Sequence, residues 1–337
     1  MKNTFIISLI IIFGLIPQTA VANHGPGTTG GGATTQSGET IKEDQFVFSL
    51  DETYTNYENV SQAEAEERAG RAGEFDALRD AYLTNIALGY GVTNDFQIEG
   101  GIGWYSGRNF IDAHREEPGS HEVTSLRAFN GRHSEEIETS SAIGNPEGLT
   151  DLMLRGKYRV MKGEFGHLSV IGGGIFPVGT DNERLSDGDK LEPSSQPGTG
   201  RYSALGGLAY SKYLTSHLTF DISTVYTHRF ERDDFQVGDR FDNGIALAYR
   251  VTDSVKTFPQ LSLFTELSHQ YIGRDEDEEG RNANSGGNAL FIVPGARVSF
   301  TENAGLILAP AIPIAQNLNG DQLDTDFKLM SQLFVRF

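Results

Sequence analysis

The stretch FKLMSQLFVRF, Phe327–Phe337, carries the pattern that decides the fold class. Its alternate positions Phe327, Leu329, Ser331, Leu333, Val335 and Phe337 make a face that is apolar except for one hydroxyl. The residues between them, Lys328, Met330, Gln332, Phe334 and Arg336, make a mixed and charged face. Successive side chains of a strand point to opposite sides, so a period of two describes a strand that separates two solvents. One such strand is equally compatible with a water-soluble sandwich, and the rest of the chain has to choose between them.

Outward from this segment the alternation recurs. Phe46, Phe48 and Leu50 oppose Gln45, Ser49 and Asp51; Tyr82, Ile86, Leu88 and Tyr90 oppose Asn85, Ala87 and Gly89. Phe96, Ile98, Ile102 and Trp104 alternate with Gln97, Glu99, Gly101 and Gly103, and Leu152, Leu154, Tyr158 and Val160 with Asp151, Arg155, Lys157 and Arg159. Further pairs run over 202–213 and 218–228, 241–251 and 261–271, and 290–300 and 306–314, and Leu168, Val170 and Phe176 mark one more, so the count reaches about twelve strands.

The joins sort by length. Those near 91–95, 161–166, 214–217, 252–260 and 301–305 are short; those near 55–80, 106–148, 178–201, 229–240, 272–288 and 315–325 are mostly long and rich in charge, Gly, Ser and Asn. Short turns alternating with long loops are the layout of an outer-membrane β-barrel, and a sandwich has no reason to sort its loops so. The reading is therefore all-β: a closed antiparallel transmembrane β-barrel of about twelve strands, both ends of it on the periplasmic side. Closure pairs every strand edge, as hydrocarbon requires. Pro294, Pro310 and Pro313 fall inside proposed strands and predict bulges or kinks, or the loss of strand structure at one end, since proline cannot donate to a ladder. Residues 61–72 (SQAEAEERAGRA) predict a short charged helix in an outer loop.

Composition agrees. The chain has 40 Gly, no Cys and a formal net charge of −19. Glycine at that level suits strands and tight turns, the lack of thiols excludes zinc-thiolate and redox sites, and the acidic balance with no basic stripe argues against nucleic acid. Residues 1–22 read as a signal peptide, with Lys2, an apolar run from Phe5 to Ile16 and the Ala20-Val21-Ala22 cleavage site. Residues 23–42, Gly- and Thr-rich, read as a flexible leader, with a place inside the pore as the alternative. The barrel is expected over 43–337.

In this scheme Glu99, Asp151, Arg155, Lys157, Arg159, Asp221, Glu266, Arg297, Asp326, Lys328 and Arg336 line the pore. They form either a charged channel that selects solutes or a salt-bridge network that fills a narrow barrel. Tyr82, Tyr90, Phe96, Trp104, Tyr158, Phe176, Tyr213 and Phe220 are expected in aromatic girdles at the lipid interface. The acidic run Asp275–Glu279 reads as a solvated loop rather than a calcium site, because Gly286 stands where an EF-hand needs Glu. His114, His121 and His133 share a loop without any known metal-ligand spacing, and His24 would chelate copper only if cleavage exposed it, so neither metal nor cofactor is expected. An enzyme is not expected either. His269-Gln270-Tyr271 resembles the outer-membrane phospholipase A stretch, but Tyr271 stands where that family has its nucleophilic serine.

Several stretches, in order, resemble a family of outer-membrane transporters grouped as "MetA-pathway of phenol degradation" proteins. They are His24-Gly25-Pro26-Gly27, Gly148-Leu149-Thr150-Asp151-Leu152 with Gly156-Lys157-Tyr158, Phe176-Pro177-Val178-Gly179-Thr180, Glu192 to Gly198, and Asp326-Phe327-Lys328-Leu329. The resemblance implies a barrel and a transport role for small solutes, hydrophobic or aromatic compounds among them; it supplies no binding residues. The alternative is a closed barrel that binds a ligand or supports the membrane through its long outer loops. The partners expected are outer-membrane lipid and lipopolysaccharide, a small-molecule solute, and the barrel-assembly machinery, whose C-terminal signal the terminal Phe337 resembles.

Overall fold

The computed structural model describes residues 32–72, 74–115, 137–141, 146–184, 191, 195–253, 257–278 and 280–337. The signal-peptide reading, residues 23–31, His121, His133 and Glu192 to Ser194 lie outside the described residues.

The chain forms β1 (Phe46–Tyr57), α1 (Gln62–Ala72), β2 (Glu74–Thr93), β3 (Phe96–Arg115), β4 (Ile137–Ser141), β5 (Glu147–Leu149), β6 (Leu152–Met161), β7 (His167–Phe176), β8 (Ser203–Tyr213) and β9 (Leu218–Arg229). Then come β10 (Arg240–Arg250), β11 (Gln260–Ile272), β12 (Glu276–Asp277), β13 (Gly280–Arg281), β14 (Gly287–Ser299), β15 (Ala304–Leu318) and β16 (Thr325–Arg336). Twelve of them, β1–β3, β6–β11 and β14–β16, make one antiparallel ring. It closes where β1 pairs with β16, from Val47 opposite Arg336 to Tyr57 opposite Thr325. The short β5 continues the wall of β6, while β12 and β13 form a hairpin of their own.

The burial pattern is the inverse of a water-soluble protein's. Ile86, Leu88, Ile98, Leu154, Leu208, Ile245, Leu247, Leu263 and Leu308 are exposed, whereas Lys157, Asp221, Glu266 and Arg297 are buried. Apolar outside and polar inside is stable only where the outer solvent is hydrocarbon. Aromatic pairs mark both rims. Phe46 lies against Tyr90 and Phe337 (4.6 and 5.7 Å) at the short-turn end, and Tyr54 against Tyr82 and Phe327 (4.8 and 5.9 Å) at the long-loop end. Just below the upper rim, Glu52 stands on the outer face and accepts a hydrogen bond from Thr84, its partner in register.

Two strands are longer than the alternation predicts. β2 and β3 each run 20 residues, and their ends remote from the short turn that joins them stay paired above the membrane. Charged pairs there, such as Arg108 with Asp80, belong in water, and ladder pairing continues regardless of solvent. The expected helix, α1, packs on these paired ends. Ala65 and Ala69 are fully buried against Phe75 and Ala77, and Arg68 bonds Glu58 at 2.6 Å, a pairing that holds its guanidinium even more firmly protonated than usual.

The prolines act as expected. A bulge separates Leu290 from Phe291 opposite Pro313, and the β14–β15 ladder lapses over residues 293–295 and 309–311, around Pro294 and Pro310. Leu247 lies in the middle of the lipid face. Replacing it with Arg should lower stability by about 2–4 kcal/mol, read from denaturant titration of the protein folded in vesicles; an unchanged midpoint would place this face away from lipid.

Candidate functional site: the lumen and the segment inside it

Small residues precede the first strand: Gly32, Ala33, Thr34, Thr35, Gln36, Ser37 and Gly38. They run along the inner wall, the alternative place considered for this stretch, and bond to it in sequence. The Thr34 amide donates to Glu266 Oε2 at 3.1 Å and the Thr34 hydroxyl also bonds Glu266. The Gln36 amide donates to Ser223 Oγ (2.9 Å) and the Gly38 amide to Ser211 Oγ (2.7 Å). Lys157 Nζ donates to the Ser37 carbonyl (3.1 Å), Ser169 Oγ to the Gly38 carbonyl (2.6 Å), and Gln97 Oε1 accepts from the Ile41 amide (2.8 Å). A strand edge inside a barrel would leave its amides unpaired; here the inward side chains of six strands supply the partners. Contact is close enough to demand glycine. A Cβ on Gly38 would sit 2.2 Å from the His167 carbonyl oxygen and 2.8 Å from the Ser211 nitrogen.

Beside the segment the lumen keeps a cavity of about 430 Å³. Its polar wall is Asp51, Glu99, Arg155 and Gln332, and its apolar wall includes Ile307 and Phe334. Arg155 Nη2 donates to Glu99 Oε1 at 2.7 Å. Asp51 accepts from two neutral donors, Ser49 and Gln332.

The eleven sequence-predicted residues divide into groups. Glu99, Asp151 and Arg155 line the cavity, while Lys157, Asp221 and Glu266 meet the N-terminal segment or, for Asp221, the Ser211 hydroxyl that meets it. Arg297 is buried within the field of Asp221. Asp151 does more than face the cavity: it accepts from the Gly179 amide (3.1 Å) and from the Thr199 amide and hydroxyl (both 2.8 Å), tying down the loop after β7. Lys328 sits 4.8 Å over the Phe291 ring. Three residues are at the rims instead. Arg159 reaches the turn between β2 and β3, donating to Asp95 at 2.6 Å and holding that carboxyl below its ordinary range. Arg336 donates to Gln45 (3.3 Å), and Asp326 is exposed near the upper end of β16.

Asp51 lies on the polar face already visible in the alternation. Nothing local distinguished it from the other polar positions there. Tyr213, expected in a girdle, turns inward and donates to Glu39 Oε1 at 2.7 Å. It has the parity of the buried Ser203, Ala209 and Ser211, so a count by twos along β8 would have placed it.

The remaining motifs resolve into structure. His269 is on the outer face in a polar row: Thr224 donates to Asn243 Oδ1 (2.7 Å), Asn243 Nδ2 is 3.1 Å from His269 Nδ1, and His269 Nε2 is 3.2 Å from Asn288 Oδ1. Both ring nitrogens are engaged by amides, and the neighbouring outward residue is Tyr271. The acidic run enters the β12–β13 hairpin, where Arg281 pairs with Glu276 at 3.3 Å. Among the described residues no group of His, Asp and Glu is arranged to hold a metal ion.

Solved structures share this architecture. The COG4313 outer membrane channel from Pseudomonas putida F1 superposes with a TM-score of 0.56 at 13% identity, over 89% of this chain and 97% of that one. A FadL homologue from Pseudomonas aeruginosa (10% identity, 93% and 95% covered, TM-score 0.42) and the "TodX monoaromatic hydrocarbon channel deltaS2 mutant" (11%, 88% and 90%, 0.45) resemble it more loosely. No protein of curated function matches the sequence. The family model described as "Putative MetA-pathway of phenol degradation" matches residues 24–309, from the glycine-rich segment into β15. With that match over most of its length and an outer-membrane barrel to carry it, the chain belongs to the MetA-pathway of phenol degradation family.

Proposed function

We propose that this barrel passes small solutes, hydrophobic and aromatic compounds among them, across the outer membrane. The observation that carries the reading is a lumen filled by a segment held mainly through hydrogen bonds, with a cavity of about 430 Å³ left beside it. Such a filling exchanges its partners for water at modest cost, since a typical intramolecular hydrogen bond contributes about 0.5–1.5 kcal/mol net. The family's association with phenol degradation and the name of the Pseudomonas putida channel point the same way.

In this reading Glu99, Arg155 and Asp51 set solute preference at the cavity, and Lys157, Asp221, Glu266 and Arg297 hold or release the segment. Asp151 keeps the loop after β7 clear of the mouth. Arg159 and Arg336 stand at the periplasmic rim, Asp326 and Lys328 toward the outer one. Transport of this kind needs no reacting group, and His269 with its amide partners serves the barrel wall. The surrounding lipid and lipopolysaccharide solvate the apolar face, and Phe337, stacked on Phe46, is the residue that barrel assembly would read. A second reading, a closed barrel acting through its outer surface, is favoured by α1 docked on the projecting ends of β2 and β3.

Two experiments test these assignments. Gly38→Val should push the segment off the wall. Ser37→Cys, buried in the parent, should then react with a water-soluble maleimide, and single-channel conductance in planar bilayers should rise. Labelling without any gain in conductance would mean the segment does not control the path, and silence of both proteins in bilayers and in liposome swelling would favour the second reading. Separately, Glu99→Gln leaves Arg155 without its carboxylate and should move the reversal potential in a KCl gradient toward anion preference; an unmoved potential removes the pair from the selectivity path.

A further inference from the structure

The inward-facing cations of the barrel mostly have acceptors. Arg155 bonds Glu99 at 2.7 Å, Arg240 bonds Asp242 at 2.7 Å, and Lys157 bonds the Ser37 carbonyl at 3.1 Å. Lys328 of β16 departs from this pattern. Among the described residues it has neither a hydrogen-bond acceptor nor a carboxylate within ion-pair distance, and its Nζ stands 4.8 Å over the ring of Phe291 instead. An aromatic face attracts the charge but leaves the three N–H donors of an ammonium without an oxygen to bond. The side chain is half-buried, so it is partly withdrawn from water yet reachable from the lumen. An anion placed there would supply the missing acceptor.

Register puts Lys328 at the outer end of the lumenal cavity. The inward positions of β16 descend as Lys328, Met330, Gln332 and Phe334, and the last three line the cavity. Across the closure of the ring, Thr55 faces Lys328, Thr53 faces Met330 and Asp51 faces Gln332. Lys328 is therefore one inward position, about 7 Å, above the cavity wall. Beneath it that wall is apolar. Ile307 and Phe334 belong to the buried cluster that includes Phe291, and Met330 packs on it. Tyr57, the next inward position above Thr55, and Tyr105, which lies in its field, add two phenol rings at the outer end; neither hydroxyl has a hydrogen-bond partner among the described residues.

Charge is ordered along the same axis. Asp51 stands four residues below Thr55 on one strand face, about 13 Å toward the periplasmic end. Glu99 and Arg155 offset each other between the two levels. An anionic group is thus drawn to the outer end and repelled from the inner one. A molecule that joins such a group to an apolar ring has one favoured orientation, with its head on Lys328 and its ring against Met330, Ile307 and Phe334.

We propose that the outer end of the cavity is a binding site for aromatic carboxylates, in which Lys328 donates to the carboxylate and the apolar wall takes the ring. The proposal rests on the channel reading and adds to it a solute class. Neutral aromatic molecules fit the same wall but gain nothing from Lys328.

Benzoate and benzamide share a ring and a planar head and differ in charge, so they form the test. Binding of each radiolabelled compound to the folded protein in detergent is measured by equilibrium dialysis at neutral pH. The wild-type protein should bind benzoate about ten- to a hundredfold more tightly than benzamide, the worth of one hydrogen bond to a charged group. Lys328→Met should bring the two affinities together, and Lys328→Arg should keep them apart. Heat-modifiable mobility on gels confirms folding, and Lys328→Gln replaces Lys328→Met if the latter does not fold. A wild-type protein that binds both compounds alike, or neither, overturns the site, as does a Lys328→Met protein that keeps the preference. Conductance in planar bilayers separates this result from the channel reading. A conducting protein without the preference loses the site and keeps the channel. A protein with the preference that neither conducts nor admits benzoate to liposomes keeps the site and loses the channel.

Discussion

In hydrocarbon each backbone N–H and C=O must find a partner within the protein, and the rest of this structure depends on that constraint. It forbids a free strand edge, so β1 must meet β16 and the sheet must close. Closure creates a lumen, and the period of two then divides every strand between lipid and that lumen. Leu263 and Leu267 go one way and Ser262 and Glu266 the other along β11, for no reason beyond strand geometry and the two solvents.

The lumen has its own accounting of polar groups. A polar wall inside a narrow barrel is stable if it is wet or if its groups pair with one another. Here much of the pairing is supplied by the chain's own N-terminal segment. Ser169, Ser211, Ser223, Gln97 and Lys157 present donors and acceptors at intervals that an extended chain can meet, and the segment is glycine where it comes too near for a side chain. The same residues that make the wall polar thus hold the filling in place. Weak, numerous and individually replaceable bonds suit an occupant that leaves space beside it, in contrast to a packed core.

Much of this is legible in the sequence. The twelve crossings, the five short turns and six long joins, the charged helix in the first outer loop and the disturbance at the prolines all follow from patterns within about ten residues, and strand physics is local at that range. The same locality explains the misses. β2 and β3 outrun the membrane because their ladder continues in water, where hydrophobic alternation fades as a guide. Arg159 has the inward parity of Arg155 and Lys157, yet it is one turn from the rim and finds Asp95 across the periplasmic turn instead of a lumenal partner. Asp51 was visible as a polar-face residue, but its hydrogen-bond partner across the closure could not be known until Gln332 of the last strand was seen beside it.

What the sequence by itself determined is the two-solvent alternation, its strand count and its loop order, because each is set by neighbours along the chain. The tertiary structure alone decided which inward residues meet. Thr34 finds Glu266, Ser37 finds Lys157, and Pro294 faces Pro310 only after the ring has closed and set the register between strands. Those encounters join distant parts of the chain, and no periodicity records them: alternation says on which side a residue stands, while closure says what stands opposite.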